Sequence, residues 1–426
     1  MAGRVQLATK GAHDAYFTDN PDFSHFIKSF RKHAKFSVYN VKHDLHGECD
    51  YGSSLTCTIP RDVGDLMSSV RLYIDLPILY DGVTYYKYVE SIGHALIQHV
   101  DMFIGGELVQ RIPSDYLQIY SENYVTQTKQ TNLSKLIGKF PLDYSGTPVN
   151  SSTIKEYLGN ATTTRKCIVD IPFYFYNNPE LAVPLCAIRE QECYFEIKIR
   201  DRQDCVLALN NPAYVPSIES IVLETELIAL GDEERIKISK RNQDQIITQV
   251  QNQNFAIPDS SGVDVQDISF KTEFINPVKE LYFVIKRNGS TVFDYDHTLQ
   301  VINVNGKLEY INYEHLRGLT VSMNDEEIVN EITGNIISLR AVQSGIHHSR
   351  TQLIRRFYSY SFALEPERWY PTGQRNLTLI KEQKLNLKLN GQINERELRV
   401  YAISYNILRY ENGRVRLLFN SGSISG

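Results

Sequence analysis

The sequence predicts an all-β chain folded as two sandwiches or barrels of roughly 200 residues each. Three observations carry that prediction. The chain holds 27 Tyr and 18 Phe against a single Trp, and Tyr and Phe favour the pleated, half-buried surface of a sheet. Alternation of apolar and polar residues with period two recurs from one end to the other. Helix-period stretches are few and short, and the strand–helix–strand rhythm of a doubly wound sheet is absent.

In chain order, the first helical candidate is residues 23–35, where Phe23, Phe26, Ile27, Phe30 and Ala34 interleave with Lys28, Arg31, Lys32 and Lys35. That spacing predicts a basic amphipathic turn or two. Val70, Leu72, Ile74 and Leu76 alternate with Arg71, Tyr73 and Asp75, so the four apolar residues share one face of a strand. Residues 195–200 and 385–389 repeat the pattern. Leu281, Tyr282, Phe283, Val284 and Ile285 form an unbroken apolar run, which suits a strand buried on both faces. A helix is predicted over 231–241, where Asp232, Glu233 and Glu234 open and Arg235, Lys237, Lys240 and Arg241 follow, matching the helix dipole. A polar Asn/Gln stretch comes next, so the domain boundary falls near Lys240. Asn-Gly pairs at 288–289, 305–306, 390–391 and 412–413 accept the positive φ of tight hairpin turns. The clearest hairpin pairs residues 399–410 with 414–419, and a second pairs 301–304 with 307–311. No internal repeat is visible in the sequence.

Over 426 residues, 42% are apolar and 22% charged, which excludes a disordered or collagenous chain. Forty-five Lys and Arg against 50 Asp and Glu leave a net charge of -5, and no direct contact with nucleic acid is expected. The six cysteines contain no CxxC pair and read as reduced core thiols. The opening residues lack the apolar core of a secretory signal, and no apolar run approaches the roughly 18 residues of a membrane span.

Chemical motifs are nearly absent. There is no GxxxxGK[ST], HExxH or GxSxG. Gly105-Gly106 reads as a tight turn between strands rather than a ligand-binding loop. His347-His348 reads as a solvated loop pair, because neighbours on a strand point apart. His43, His46, Glu48, Cys49 and Asp50 lack the spacing of zinc modules and read as a strand running into a turn. Asp294-Tyr295-Asp296 lacks the glycine and glutamate of a calcium loop. No catalytic, cofactor or metal residue is therefore assigned, although a carbohydrate-active β-sandwich enzyme stays open, since paired carboxylates leave no local signature.

An ordered series of segments resembles the major capsid proteins of large nucleocytoplasmic DNA viruses, of the double jelly-roll lineage. Residues 30–36 (FRKHAKF) are similar to the family's opening, followed by 47–52, the strand at 55–59, 70–77, and 100–107, a strand entering a paired glycine. Residues 114–120, 231–235, 274–281, 360–367 with Pro371, Gly373 and Asn376, and 400–409 continue in family order, so the resemblance covers about 26–420. The chain departs from it at Glu107, Tyr116 and Asn276, where the family often has Gln, Trp and His. The family-motif structural positions are Arg31, His33, Phe36, Gly105, Gly106, Pro277, Phe362, Pro366, Pro371, Gly373, Tyr405 and Asn406.

The resemblance implies two tandem eight-stranded jelly-roll sandwiches with few short helices. An N-terminal arm would span 1–25, a first jelly roll ending in a linker helix 26–240, and a second jelly roll 241–426. It further implies homotrimeric pseudo-hexagonal capsomers tiling an icosahedral virion shell, without cofactor. Expected partners are further copies of the chain and penton and minor capsid proteins; the basic N-terminal segment reads as a structural cap packed beneath the first sandwich or, alternatively, as a contact with an internal viral membrane or minor shell proteins. Assembly is expected inside the infected host cell, in the cytoplasm. A scaffolding protein of the same fold is the nearest rival reading.

Overall fold

A computed structural model describes residues 2–8, 11–28, 30, 32–79, 87–139, 165–207, 216–260, 263–290, 292–293, 298–302, 308–312, 314–349, 357–391 and 394–419. They fall into two compact units, Met1–Phe36 and Ser37–Gly426.

Among the described residues, eight principal strands precede the helix Asp232–Lys240 and eight follow it, beside a short pair, Lys87–Tyr88 with Val206–Leu207, before the helix. The first eight are β1 (Phe36–His43), β2 (Ser54–Ile59), β3 (Leu66–Leu76), β4 (Ile97–Ile104), β5 (Glu107–Pro113), β6 (Arg165–Ile171), β7 (Cys193–Ile199) and β8 (Ser220–Leu230). They form two four-stranded sheets, in the orders β1-β8-β3-β6 and β2-β7-β4-β5. The second eight are β9 (Gln243–Ile257), β10 (Val265–Thr272), β11 (Pro277–Arg287), β12 (Leu316–Met323), β13 (Glu326–Val329), β14 (Tyr358–Ser361), β15 (Gln383–Asn390) and β16 (Arg396–Glu411). Their sheets run β9-β16-β11-β14 and β10-β15-β12-β13. Shifted by eight, the two orders are identical. All these pairings whose register is defined are antiparallel. Among the described residues no sheet mixes strands from before and after the helix.

The likeness extends to irregularities. The turn from β4 to β5 places Gly105 and Gly106 at positive φ, and the turn from β12 to β13 does the same with Asn324 and Asp325. Each hairpin then shifts register at the same step, leaving Val109 unpaired in one and Ile328 in the other. The β3–β8 and β11–β16 pairs also share a shift, at Ser68 and at Lys279. Bulges of this kind bend a strand and are kept because they re-aim it.

Alternation works as the sequence predicts. Val70, Leu72, Ile74 and Leu76 are buried in the first core, and Leu385, Leu387 and Leu389 in the second. Leu281, Phe283 and Ile285 face the second core, while Tyr282 and Val284 belong to the cluster built around the first sandwich. β11 is therefore buried on both faces. All six cysteines are free; Cys49 and Cys186 are half-buried and the other four buried.

Three readings need correction. Residues 23–35 carry no helix among those described. A helix this short is marginal in water without a face to bury, and Phe26 is 98% exposed. The helices of this unit lie earlier, at Ala2–Ala8 and Ala12–Thr18, the latter with the Asp14 carboxylate accepting from the Gly11 N–H at 3.2 Å. Asn390-Gly391 makes no left-handed turn; glycine is needed there because a Cβ would lie 1.8 Å from the Val263 carbonyl oxygen. Asn412-Gly413 does form the expected turn, closing β16 onto Arg414–Leu417. Thr298–Ile302 pairs with Leu308–Asn312, though the Asn305-Gly306 turn and Asp294-Tyr295-Asp296 lie outside the described residues. His348 is the third correction and belongs to the seam between the sandwiches.

Truncating Phe283, which fills the second core, to alanine is expected to cost about 3–5 kcal/mol, read as a lower denaturant midpoint with unchanged slope.

Candidate functional site: the seam between the sandwiches

The outer face of the β9-β16-β11-β14 sheet packs against the first sandwich. Tyr282 and Val284 from β11 and Tyr401 and Ile403 from β16 join Val109, Ile112 and Tyr116 in one buried cluster. Two aligned strands present these residues because the period of two sends every second side chain outward.

Polar groups lock the apolar contact in register. The Asp115 carboxylate accepts from Arg399 Nη1 at 2.6 Å and from the Tyr401 hydroxyl at 2.5 Å. Asp115 lies two residues beyond β5, at the start of the helix Ser114–Asn123. Gln249 Nε2 donates to the Val109 carbonyl at 2.7 Å, and its Oε1 accepts from Asn406 Nδ2 at 2.9 Å. The unpaired carbonyl at the β5 register shift is thus used by the opposite sandwich. Near the hairpin end, the Arg189 and Val415 N–H groups donate to the Gly413 carbonyl and to Gln191 Oε1.

A second cluster is charged and buried. His348 Nε2 lies 2.6 Å from Glu280 Oε1, both side chains almost wholly inaccessible. The Tyr124 hydroxyl donates to Glu280 Oε2 at 3.3 Å, and Glu367 lies 3.4 Å from His348 Nδ1. The reading of His347-His348 as a solvated loop pair is therefore wrong for His348. It sits just past the short helix Gln343–His347, whose winding swings it inward, and helix rather than strand geometry separates the pair. Burial alone would lower its pKa, but the Glu280 carboxylate outweighs that and, with Glu367, raises it to about 9. Lys279 is lowered to about 8 by burial, opposed by Glu280 and Glu367. Its ammonium donates to the Pro366 carbonyl at 2.7 Å and lies 5.7 Å from the Tyr405 ring centre.

The motif positions scatter around this seam. Phe362 N–H donates to the Lys279 carbonyl at 2.8 Å, and Gly373 packs so closely that a Cβ would lie 2.7 Å from the Phe362 carbonyl oxygen. Phe362, Pro366, Gly373 and Tyr405 thus gather about Lys279, with Pro277 opening the same strand and Asn406 on β16. Pro371 is exposed in the same connection. Gly105 and Gly106 form their turn elsewhere, where a Cβ on Gly105 would strike Gln191. His33 and Phe36 are exposed in the N-terminal unit, and Arg31 lies outside the described residues. Sequence reasoning missed Asp115, Glu280, His348 and Arg399, whose partners are far apart in the chain; the unbroken apolar run beside Glu280 is the signal that this strand has two covered faces.

The chemistry available is cohesive. A cavity of about 60 Å³ touches Tyr116, Tyr124, Lys279 and Glu367, enough for a water or two and far below a substrate site. The residues from His43 to Asp50, read as a strand running into a turn, begin at the end of β1; His43 Nε2 lies 2.8 Å from Thr225 Oγ1, and the Asp50 carboxylate accepts from the Ser217 hydroxyl.

Two tandem sandwiches of identical strand order, clamped by one sheet with two covered faces, define a double jelly-roll protein. Residues 24–269 match the family described as major capsid protein N-terminus, and residues 234–415 match the large eukaryotic DNA virus major capsid protein. The chain belongs to the major capsid proteins of large eukaryotic DNA viruses. It is 27% identical to the major capsid protein of Pyramimonas orientalis virus, over 98% of this chain and 99% of that one. It is 22% identical to that of Paramecium bursaria Chlorella virus 1, over 97% and 98%. Among solved structures, a chain of the PBCV-1 virus capsid superposes with a TM-score of 0.78 at 17% identity, covering 93% of this chain and all of that one. The Faustovirus major capsid protein superposes at 0.71 and 14% identity, covering 96% of each. At these identities the superpositions establish a shared fold.

The buried histidine sets a pH dependence. Its folded pKa lies above the ordinary 6.5, so its stabilisation is complete below about pH 6.5 and is lost as pH rises toward 9. Between pH 6.5 and 8, below the window in which Lys279 is relieved of its charge, stability is expected to fall on the order of 2 kcal/mol. Thermal melts of wild type and His348→Gln check this: the wild-type slope should be absent from the variant.

Proposed function

We propose that the chain is the structural subunit of a virus shell, assembling as a homotrimer whose six sandwiches make a pseudo-hexagonal capsomer. The observation that supports this reading is the repeated strand order on either side of the helix Asp232–Lys240. Three copies carrying two like modules each can surround themselves with six neighbours while using only threefold identity. The work is burial of surface, and no bond is made or broken. In this reading the domains divide as arm 1–25, first jelly roll 26–240 and second jelly roll 241–426, and the twelve motif positions serve structure. Further partners are adjoining capsomers, penton proteins and minor capsid proteins, with assembly in the host cytoplasm.

The basic segment 23–36 carries Lys28, Arg31, Lys32 and Lys35 with no acidic residue, and its described aromatics Phe23, Phe26 and Phe30 are exposed. That composition suits an internal viral membrane or a minor capsid protein.

Light scattering of purified protein should give a mass near three chains, 3 × 48.9 kDa; a stable species near one chain defeats the capsomer reading. Replacing Lys28, Arg31, Lys32 and Lys35 by Gln should abolish flotation with anionic liposomes, and unchanged flotation removes the membrane as partner.

A further inference from the structure

Three segments meet where β16 turns into the strand Arg414–Leu417. From the first sandwich comes the end of the connection 172–191, whose Arg189 and Glu190 N–H groups donate to the Gly413 carbonyl at 3.0 and 3.2 Å. From the linker comes the last turn of the helix Asp232–Lys240, with Arg241 and Asn242 behind it. Between these and the Asn412-Gly413 turn lies a cleft of about 340 Å³, lined in part by Arg189, Lys240, Arg241, Asn242 and Asn412. Gly413 permits the close approach, because a Cβ there would lie 3.2 Å from the Arg189 Cβ. Arg189 is thus anchored through its backbone, which leaves the guanidinium free.

The carboxylates around the cleft are already engaged. Glu190 pairs with Arg414 at 2.7 Å, Asp244 takes two bonds from Arg409 at 2.7 Å each, and Glu411 lies 3.8 Å from Arg416. Arg189, Lys240 and Arg241 have no ion-pair or side-chain hydrogen-bond partner among the described residues. Three cations are therefore left without a counter-charge, in a chain whose net charge is -5. The side-chain amides of Asn242 and Asn412, equally unpartnered among the described residues, add neutral donors. Lys240 and Arg241 have a local reason for their place, since the C-terminal end of a helix favours cations. Arg189 has none; it belongs to the first sandwich and arrives through the Gly413 contact. Like charges gathered from separate segments repel one another, and an anion seated among them relieves that cost.

We propose that this cleft binds a phosphate group, with Arg189 and Arg241 as guanidinium forks, Lys240 as a point charge and Asn242 and Asn412 as amide donors. A planar guanidinium offers parallel N–H donors that match two oxygens of one phosphate, a geometry a simple halide cannot use. The open cleft admits the group either as the free ion or as an ester on a protein side chain. Its walls come from both sandwiches and the linker, so it is complete only once the seam has formed. A single folded chain suffices to build it, whatever the assembly, and no residue of the basic segment 23–36 takes part.

The test is calorimetric titration of the full-length protein with inorganic phosphate at fixed ionic strength, because exposed charges are screened by salt. Saturable binding of one phosphate per chain is expected. Arg189→Gln/Arg241→Gln alters only exposed side chains; it should keep the wild-type melting curve and weaken binding at least about tenfold. Lys240→Gln alone should weaken binding in the same direction, which keeps the test open if the double variant misfolds. Lys384→Gln/Lys388→Gln removes two cations paired elsewhere with Glu382 and Glu331 and should bind as wild type does. The tripeptide Gly-phosphoserine-Gly separates the sources: tighter binding than free phosphate assigns the site to a phosphorylated protein, and binding no tighter assigns it to the free ion. Absence of saturable phosphate binding by the wild type overturns the site, as does undiminished affinity in Arg189→Gln/Arg241→Gln.

Discussion

The structure depends on one sheet that serves two cores. β11 and β16 send Leu281, Phe283, Leu398 and Val400 into the second sandwich and Tyr282, Val284, Tyr401 and Ile403 against the first. Strands covered on both faces cannot tolerate water on either, so the second sandwich is fully satisfied only when the first is in place. The relation is one-sided. The corresponding sheet of the first sandwich alternates apolar and polar residues and is complete as a half-wet surface.

Buried polar groups then fix which apolar arrangement is used. Greasy faces alone would slide, since burial is non-directional. Asp115 with Arg399 and Tyr401, and Glu280 with His348 and Tyr124, admit only one register, because a one-residue slip would leave each carboxylate unpaired in a dry environment. The bulges at Val109 and Lys279 belong to the same logic. The first frees the Val109 carbonyl to accept from Gln249 across the seam, and the second frees the Lys279 carbonyl to accept from the Phe362 N–H.

The duplication explains why the repeat is invisible in the sequence. A jelly roll needs apolar residues on inward positions and turn-competent residues at its hairpins, and many residues satisfy each demand. Gly105-Gly106 and Asn324-Asp325 solve the same left-handed turn with different side chains. Outward positions diverge further, since Arg71 and Tyr282 occupy equivalent places under opposite solvation.

Short-range chemistry settles the strand class, the linker helix with its acidic start, the tight turns at Gly105-Gly106 and Asn412-Gly413, and the double burial of 281–285. Each depends on residues adjacent or nearly adjacent in the chain, where periodicity and φ preference act directly. The ordered motifs add the family. Folding in three dimensions was needed to bring His348 to Glu280 and to gather Phe362, Pro366 and Tyr405 about Lys279, and among the described residues of 23–35 the amphipathic spacing yields no helix. The first two outcomes hang on contacts between segments tens to hundreds of residues apart, and pairing at that range leaves no mark on local spacing.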